Sequence, residues 1–213
     1  MAVQQMSHEA SRMDRLTFQE DGHKYFWDGM PVPNVTSIIA PLVDYSMVKP
    51  SVLELARQKG QHVHRMVELW ATDNLKVDEL PEWMRPVLAE WLKFVNETGF
   101  VVVKSEWKLY HPFYKYAGTP DIRGYMRHHP KFKGHGILDL KRSFMAGAVI
   151  GLQTAAYEDA ENTANPEGER ITWRGALKLH ENGPMRFMPL ENKHDFSEFI
   201  VCLTYKRIKE QYL

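Results

Sequence analysis

The chain has 213 residues and a mass of 24.9 kDa, enough for one large domain or two small ones with a sizeable core. Its 27 Lys+Arg balance 27 Asp+Glu, and 44% hydrophobic with 25% charged residues is ordinary globular usage; this excludes intrinsic disorder, a collagen-like fibre and a globally basic nucleic-acid binder. No apolar run approaches the roughly 20 residues that span a bilayer, the N-terminus carries no apolar signal region, and Cys202 is the only cysteine, so the expectation is a soluble cytoplasmic protein with no membrane partner, no internal disulfide and no cysteine-ligated cluster.

In chain order, residues 1–15 read as a loose lead-in. From Leu16, LTFQEDGHKYFWDGMPVP predicts a small β-hairpin over 16–33, with Asp21-Gly22 and Asp28-Gly29 as turns. Asn34 is placed to cap a short helix, VTSIIAPL, that stops near Pro41. Pro50 to about Thr72 carries a helical period in Val52, Leu55, Ala56, Lys59, Val63, Met66, Val67 and Trp70. A second helix over Pro81–Glu97 ends at Gly99 and closes a helical part, 34–98. The pattern then changes. FVVVKSEWKLYH reads as a strand, YKYAGTPDIRGYMR as another with a turn, and HGILDLKR as a third. Gly147 to about Asn162 reads as a helix, ITWRGALKLH and GPMRFMPL as a strand pair, and Asp195 to about Gln211 as a last amphipathic helix. This order predicts one α/β domain over 16–213, in which 99–213 forms a central mixed sheet flanked by helices.

The chemistry concentrates between Glu106 and Tyr157. Asp121 stands in Gly118-Thr119-Pro120-Asp121, and Asp139 follows eighteen positions on, in Ile137-Leu138-Asp139-Leu140-Lys141. Side chains alternate along a strand, so Asp139 and Lys141 share one face while Leu138 and Leu140 take the other. If Asp121 lies beside Asp139, the two carboxylates need a divalent cation to offset their repulsion. Mg2+ or Mn2+ takes carboxylates and water and polarises a phosphoryl oxygen; Lys141 could orient the attacking water or stabilise charge at phosphorus. The competing reading is a surface ion pair on an edge strand, with Asp121 in a plain turn.

Pro120-Asp121 with Asp139-Leu140-Lys141 resembles the PD-(D/E)xK nuclease superfamily, and more narrowly its RecB-like, phage-exonuclease branch. Gly60-x-x-x-His64-x-x-x-Glu68 on the first long helix is similar to that branch's G-x-x-x-H-x-x-x-E. Gln153-x-x-x-Tyr157, on the first helix after the D-x-K strand, is similar to its Q-x-x-x-Y, and Glu106 is an acid on the preceding strand. The resemblance covers about Gly60 to Tyr157 and implies a restriction-endonuclease-like core. It implies His64, Asp121, Asp139 and the Leu140 carbonyl as metal ligands and Lys141 as the catalytic lysine. Glu106, Glu68, Gln153 and Tyr157 would support them. The leading HKYFWDGMPVPNVTSIIAPL also looks like the start of phage-encoded members. The lone cysteine places the chain with members that lack an iron–sulfur cluster.

A neutral protein must hold DNA locally. Arg123, Arg142, Ser143 and the basic stretch Arg127, Lys131 and Lys133 are the candidate phosphate contacts, and Phe132 could stack on bases. The stretch from Arg127 to His135 reads equally as a solvated hairpin tip. The resemblance thus implies a Mg2+- or Mn2+-dependent DNA exonuclease of phage or prophage recombination or DNA processing, with DNA, a single-strand annealing protein and further copies of itself as partners. Rival readings are a non-catalytic DNA-binding or assembly subunit that keeps the fold, and a hydrolase of another phosphodiester such as RNA.

Overall fold

A computed structural model describes residues 15–143 and 147–212; apart from Arg15, the expected lead-in lies outside them. Three short antiparallel strands come first, β1 (Leu16–Gln19), β2 (Lys24–Trp27) and β3 (Met30–Val32). The expected hairpin is therefore a three-stranded meander, because the Asp21-Gly22 and Asp28-Gly29 turns each reverse the chain. Trp27 stacks on Tyr110 with ring centroids 3.9 Å apart and ties this small sheet to the rest.

Helix α1 (Val35–Ile39) starts at Asn34, whose Oδ1 accepts the Ser37 amide hydrogen bond at 2.7 Å. Helix α2 (Pro50–Ala71) starts on Pro50, where the missing N–H costs nothing. Its buried face is Val63, Met66 and Val67 only. Val52 and Leu55, which share the apolar period, lie more than half exposed. Helix α3 (Arg85–Thr98) ends on Gly99 at φ 63°, and the Gly99 amide donates to the Val95 carbonyl.

Five strands form the main sheet in the order β10-β9-β8-β7-β4. They are β4 (Phe100–Ser105), β7 (Ile122–Met126), β8 (His135–Lys141), β9 (Ile171–His180) and β10 (Gly183–Pro189). A two-stranded piece, β5 (Leu109–Tyr110) with β6 (Ala117–Gly118), lies between β4 and β7 in sequence. β8 and β9 pair in parallel and every other neighbour is antiparallel, so the sheet is mixed. A parallel pair needs a crossover, and helix α4 (Gly147–Ala164) supplies it. Helix α5 (Asp195–Tyr212) closes the order.

Strand alternation gives the sheet two cores. Leu138 and Leu140 pack with Val63, Met66, Trp91, Phe94 and Phe100. Ile137 packs with Ile38, Leu152, Tyr157 and Phe199. The fold is thus α/β, a mixed five-stranded sheet flanked by helices with a small antiparallel sheet ahead of it. No helix among the described residues is long and apolar enough to cross a membrane.

Gly136 on β8 lets the Trp173 ring lie flat against the strand; an added Cβ would sit 2.0 Å from that ring. Gly136→Val should destabilise the protein by about 1–3 kcal/mol or more, read as a lower denaturation midpoint. Gly183→Ala, with nothing within 4 Å of its Cβ position, should stay within about 0.5 kcal/mol of the parent.

Candidate metal centre

Four segments converge at the carboxyl end of β8. Helix α2 contributes His64. The chain after β4 breaks at Glu106, which adopts φ 49°, a left-handed conformation uncommon outside glycine. The one-strand reading of FVVVKSEWKLYH is corrected here: β4 and β5 are separate. A register shift between Val102 and Lys104 precedes the break, and such bulges re-aim side chains. The Glu106 amide donates to the Asp121 carbonyl at 2.9 Å. Asp121 stands just before β7, and β8 ends with Asp139, Leu140 and Lys141.

The side chains meet at short range. His64 Nδ1 lies 3.2 Å from Glu106 Oε1 and 3.5 Å from Asp121 Oδ1. His64 Nε2 lies 3.1 Å from the Leu140 carbonyl oxygen. The Leu140 amide donates to Asp121 Oδ2 at 2.6 Å. One ligand atom from each of His64, Glu106 and Asp121 falls within 4.8 Å of the others, close enough to hold a metal ion. Asp139, expected among the ligands, stands outside this group, and Glu106, expected only to support it, stands inside. Asp139 Oδ2 instead lies 2.6 Å from Lys141 Nζ.

The charges fit a cation site. Asp139 is 1% exposed. Neither oxygen has a partner in hydrogen-bond geometry, and the Lys141 ammonium lies 2.6 Å from Oδ2. Burial pushes the Asp139 carboxyl up to about 6; Lys141 opposes that rise and Asp121 adds to it. Burial disfavours the Lys141 ammonium, but Asp139 and Asp121 outweigh it and raise its pKa. Burial likewise opposes charge on His64, and Asp121 with the Glu106 bond overcomes it, to about 9. His64 is therefore an imidazolium at neutral pH, with both ring nitrogens facing acceptors. A ring nitrogen, two carboxylates and a carbonyl form a hard, oxygen-rich donor set of the kind Mg2+ and Mn2+ take, with Asp139 adjoining it.

Around this centre, Tyr157 is buried against Gly118, where a Cβ would meet its ring at 2.5 Å. Burial raises the Tyr157 phenol well above its usual range. Gln153 Nε2 donates to Tyr157 Oη at 3.4 Å. The pair backs the site from α4, and Tyr157 is too enclosed to stack on a base. Glu68 is paired with Arg65 at 2.7 Å. His62 bonds the Gln58 carbonyl at 2.7 Å, away from the site.

The expected phosphate contacts are placed differently. Arg123 is buried, and its guanidinium bonds Glu161 at 2.5 Å and the Glu169 carbonyl at 2.6 Å; it cannot reach a surface strand of DNA. Arg142 is held by Glu181, which Lys59 also bonds at 2.7 Å. Ser143 is exposed just past β8. Arg127, Lys131 and Lys133 are exposed but sit at the wrong end for contacts beside the metal centre. Ile122 faces Leu138 and Tyr125 faces His135, so the β7–β8 turn lies on the order of 20 Å from Asp139. Lys131 there pairs with Glu191 at 2.6 Å. Phe132 is core, packed with Trp173 and Phe187, and not a stacking surface. Tyr45, which no motif or period singled out, lies within electrostatic reach of Lys141.

No protein-family model matches the chain, and no curated protein matches it.

A raised histidine pKa has a definite sign. The stability it contributes is fully present below the ordinary value of 6.5 and is lost as pH rises through about 9. In EDTA, the denaturation midpoint should fall across that upper range, and His64→Gln should show no such step. Cation binding must displace the same proton, so calorimetry with Mn2+ in two buffers at neutral pH should report release of about one proton.

Proposed function

We propose that this chain is a Mg2+- or Mn2+-dependent deoxyribonuclease of the PD-(D/E)xK superfamily. In this reading it belongs to the RecB-like, phage-exonuclease branch and acts at DNA ends during phage or prophage recombination or DNA processing. The observation that carries the reading is the Asp139 carboxylate, buried with no hydrogen bond in good geometry and in ion contact with Lys141. It stands beside a His64–Glu106–Asp121 group assembled from three other segments. A buried carboxylate held by an ion contact alone calls for an explanation beyond packing, and a cation beside it supplies one.

His64, Glu106, Asp121 and the Leu140 carbonyl would hold the cation, with Asp139 adjoining them. When bound, the cation supplies Lewis-acid polarisation of a phosphoryl oxygen. The protein's own groups then divide the remaining work. Lys141 stays an ammonium at neutral pH and can donate to a non-bridging phosphate oxygen where negative charge grows. Asp139, raised to about 6, is poised near neutral pH to accept a proton from an attacking water. Gln153 and Tyr157 hold the rear wall, and the Lys59–Glu181–Arg142 pairs fix the end of β8 against β9.

The test is hydrolysis of end-labelled linear DNA in Mg2+ or Mn2+. Asp139→Asn and Lys141→Ala should each slow cleavage by about 10²–10³-fold or more while DNA binding persists, and EDTA should abolish cleavage. Undiminished cleavage by Asp139→Asn removes the site assignment, and equal attack on closed circular DNA removes the dependence on ends.

A further inference from the structure

One carboxylate holds two cations at the end of β8. Glu181, in the turn between β9 and β10, sets Oε1 2.7 Å from Lys59 Nζ of α2, and its Oε2 accepts from Arg142 Nη2. All three side chains are mostly buried, so the cluster sets two cations against one carboxylate. Its hydrogen bonding is also incomplete. Arg142 reaches Glu181 with Nη2 only, and Arg142 Nε is buried with no acceptor among the described residues. His180 Nδ1 accepts the Asn182 amide at 3.0 Å, so the neutral ring carries its proton on Nε2, 3.3 Å from Arg142 Nη2. Two donors so placed do not satisfy each other, and an oxygen brought between them would bond both.

Those spare donors suit a phosphodiester better than a carboxylate. A guanidinium takes a phosphate through two parallel N–H bonds, and Arg142 Nε with Nη2 is such a fork with one N–H unused. Lys59 has a second support in the Trp83 ring, whose centroid lies 5.0 Å from Nζ, so the ammonium stays in place when Glu181 leaves. Glu181 stands on a short turn, where its side chain can swing to solvent without moving a strand.

Chain geometry puts the cluster beside the metal centre. Arg142 directly follows Lys141, and its Cα is within about 7 Å of that of Leu140. Glu181 comes three residues after Lys178, the β9 partner of Lys141. Lys59 precedes His64 on α2 by roughly 7.5 Å along the axis. Strand alternation turns Arg142 to the face opposite Lys141. A nucleic-acid strand whose reacting phosphate meets Lys141 therefore brings a neighbouring phosphate, and not the same one, to Arg142.

We propose that Lys59, Arg142 and His180 form a second phosphate site, for the backbone phosphate next to the one that reacts, and that Glu181 occupies this site in the free protein until the nucleic acid displaces it. This rests on the nuclease reading above and adds to it a positioning contact and a residue that restrains binding.

The experiment measures binding of the full chain to a short fluorescent DNA duplex in EDTA over a range of salt. Glu181→Gln should tighten binding about threefold or more, because it frees both cations. Arg142→Ala should weaken binding and lower the slope of log affinity against log salt by about one. In the double variant the gain from Glu181→Gln should be lost. A Glu181→Gln chain that binds no more tightly than its parent overturns the proposal, because a carboxylate that only fastens α2 and β9 to β8 strengthens nothing when removed. A gain that survives in the double variant is an effect of net charge alone and overturns it as well. An unchanged salt slope for Arg142→Ala does so whatever the fate of the Glu181 variant. Cleavage by the wild-type chain in Mg2+ or Mn2+ separates the two claims: an Arg142-dependent gain from Glu181→Gln without metal-dependent cleavage supports the phosphate site and overturns the nuclease.

Discussion

The Asp121 carboxylate accepts the Leu140 amide at 2.6 Å, and this bond stitches the start of β7 to the end of β8. It commits a carboxylate to a buried place next to a second one, Asp139. Like charges so close in low dielectric are costly unless something offsets them. The surrounding residues follow from that constraint. Lys141 is on the same face of β8 as Asp139 and bonds it. His64 reaches across from α2 and turns one ring nitrogen to the acids and the other to the Leu140 carbonyl. His64 and Lys141 thus balance the carboxylates, and a bound divalent ion would take the place of the His64 proton.

The sheet makes this arrangement possible by having two cores. Leu138 and Leu140 anchor one side of β8 against α2 and α3, and Ile137 anchors the other against α4. The left-handed Glu106 costs roughly 1 kcal/mol, and the Asp121 carbonyl that accepts its amide helps to hold it. Gly118 lets Tyr157 close the back of the site. Farther out, Arg174 ties α5 to β9 through Asp195 at 2.9 Å and to α4 through Glu158 at 2.8 Å, so both helices on that side are fixed by buried charge as well as by apolar contact.

Much of this was legible in the sequence, for reasons that differ residue by residue. Strand alternation alone places Asp139 and Lys141 together, and a helix period places His64 next to the buried Val63, Met66 and Val67. Asn34 and Gly99 announce the helix ends they cap. Other features depend on partners that no local pattern reveals. Arg123 looked like a phosphate ligand because its buried partner, Glu161, lies 38 residues away. The break at Glu106 has no glycine to signal it. Phe132 reads as a loop residue until Trp173 and Phe187 enclose it. The basic turn lies between the two aspartates in sequence, but the antiparallel register carries it to the other end of the strands. Val52 and Leu55 have a helical period without a core to meet, which periodicity cannot distinguish from burial.

The central claim is that His64, Glu106, Asp121 and the Leu140 carbonyl hold a divalent cation, with Asp139 adjoining it. A crystal grown or soaked with Mn2+ and recorded at the manganese absorption edge tests it most directly. The account predicts one or more anomalous peaks among these five groups, at ordinary coordination distance from Asp121 and the Leu140 carbonyl oxygen, with the His64–Leu140 hydrogen bond replaced by ligation. Saturating Mn2+ with that bond intact and no peak among the five groups would contradict it.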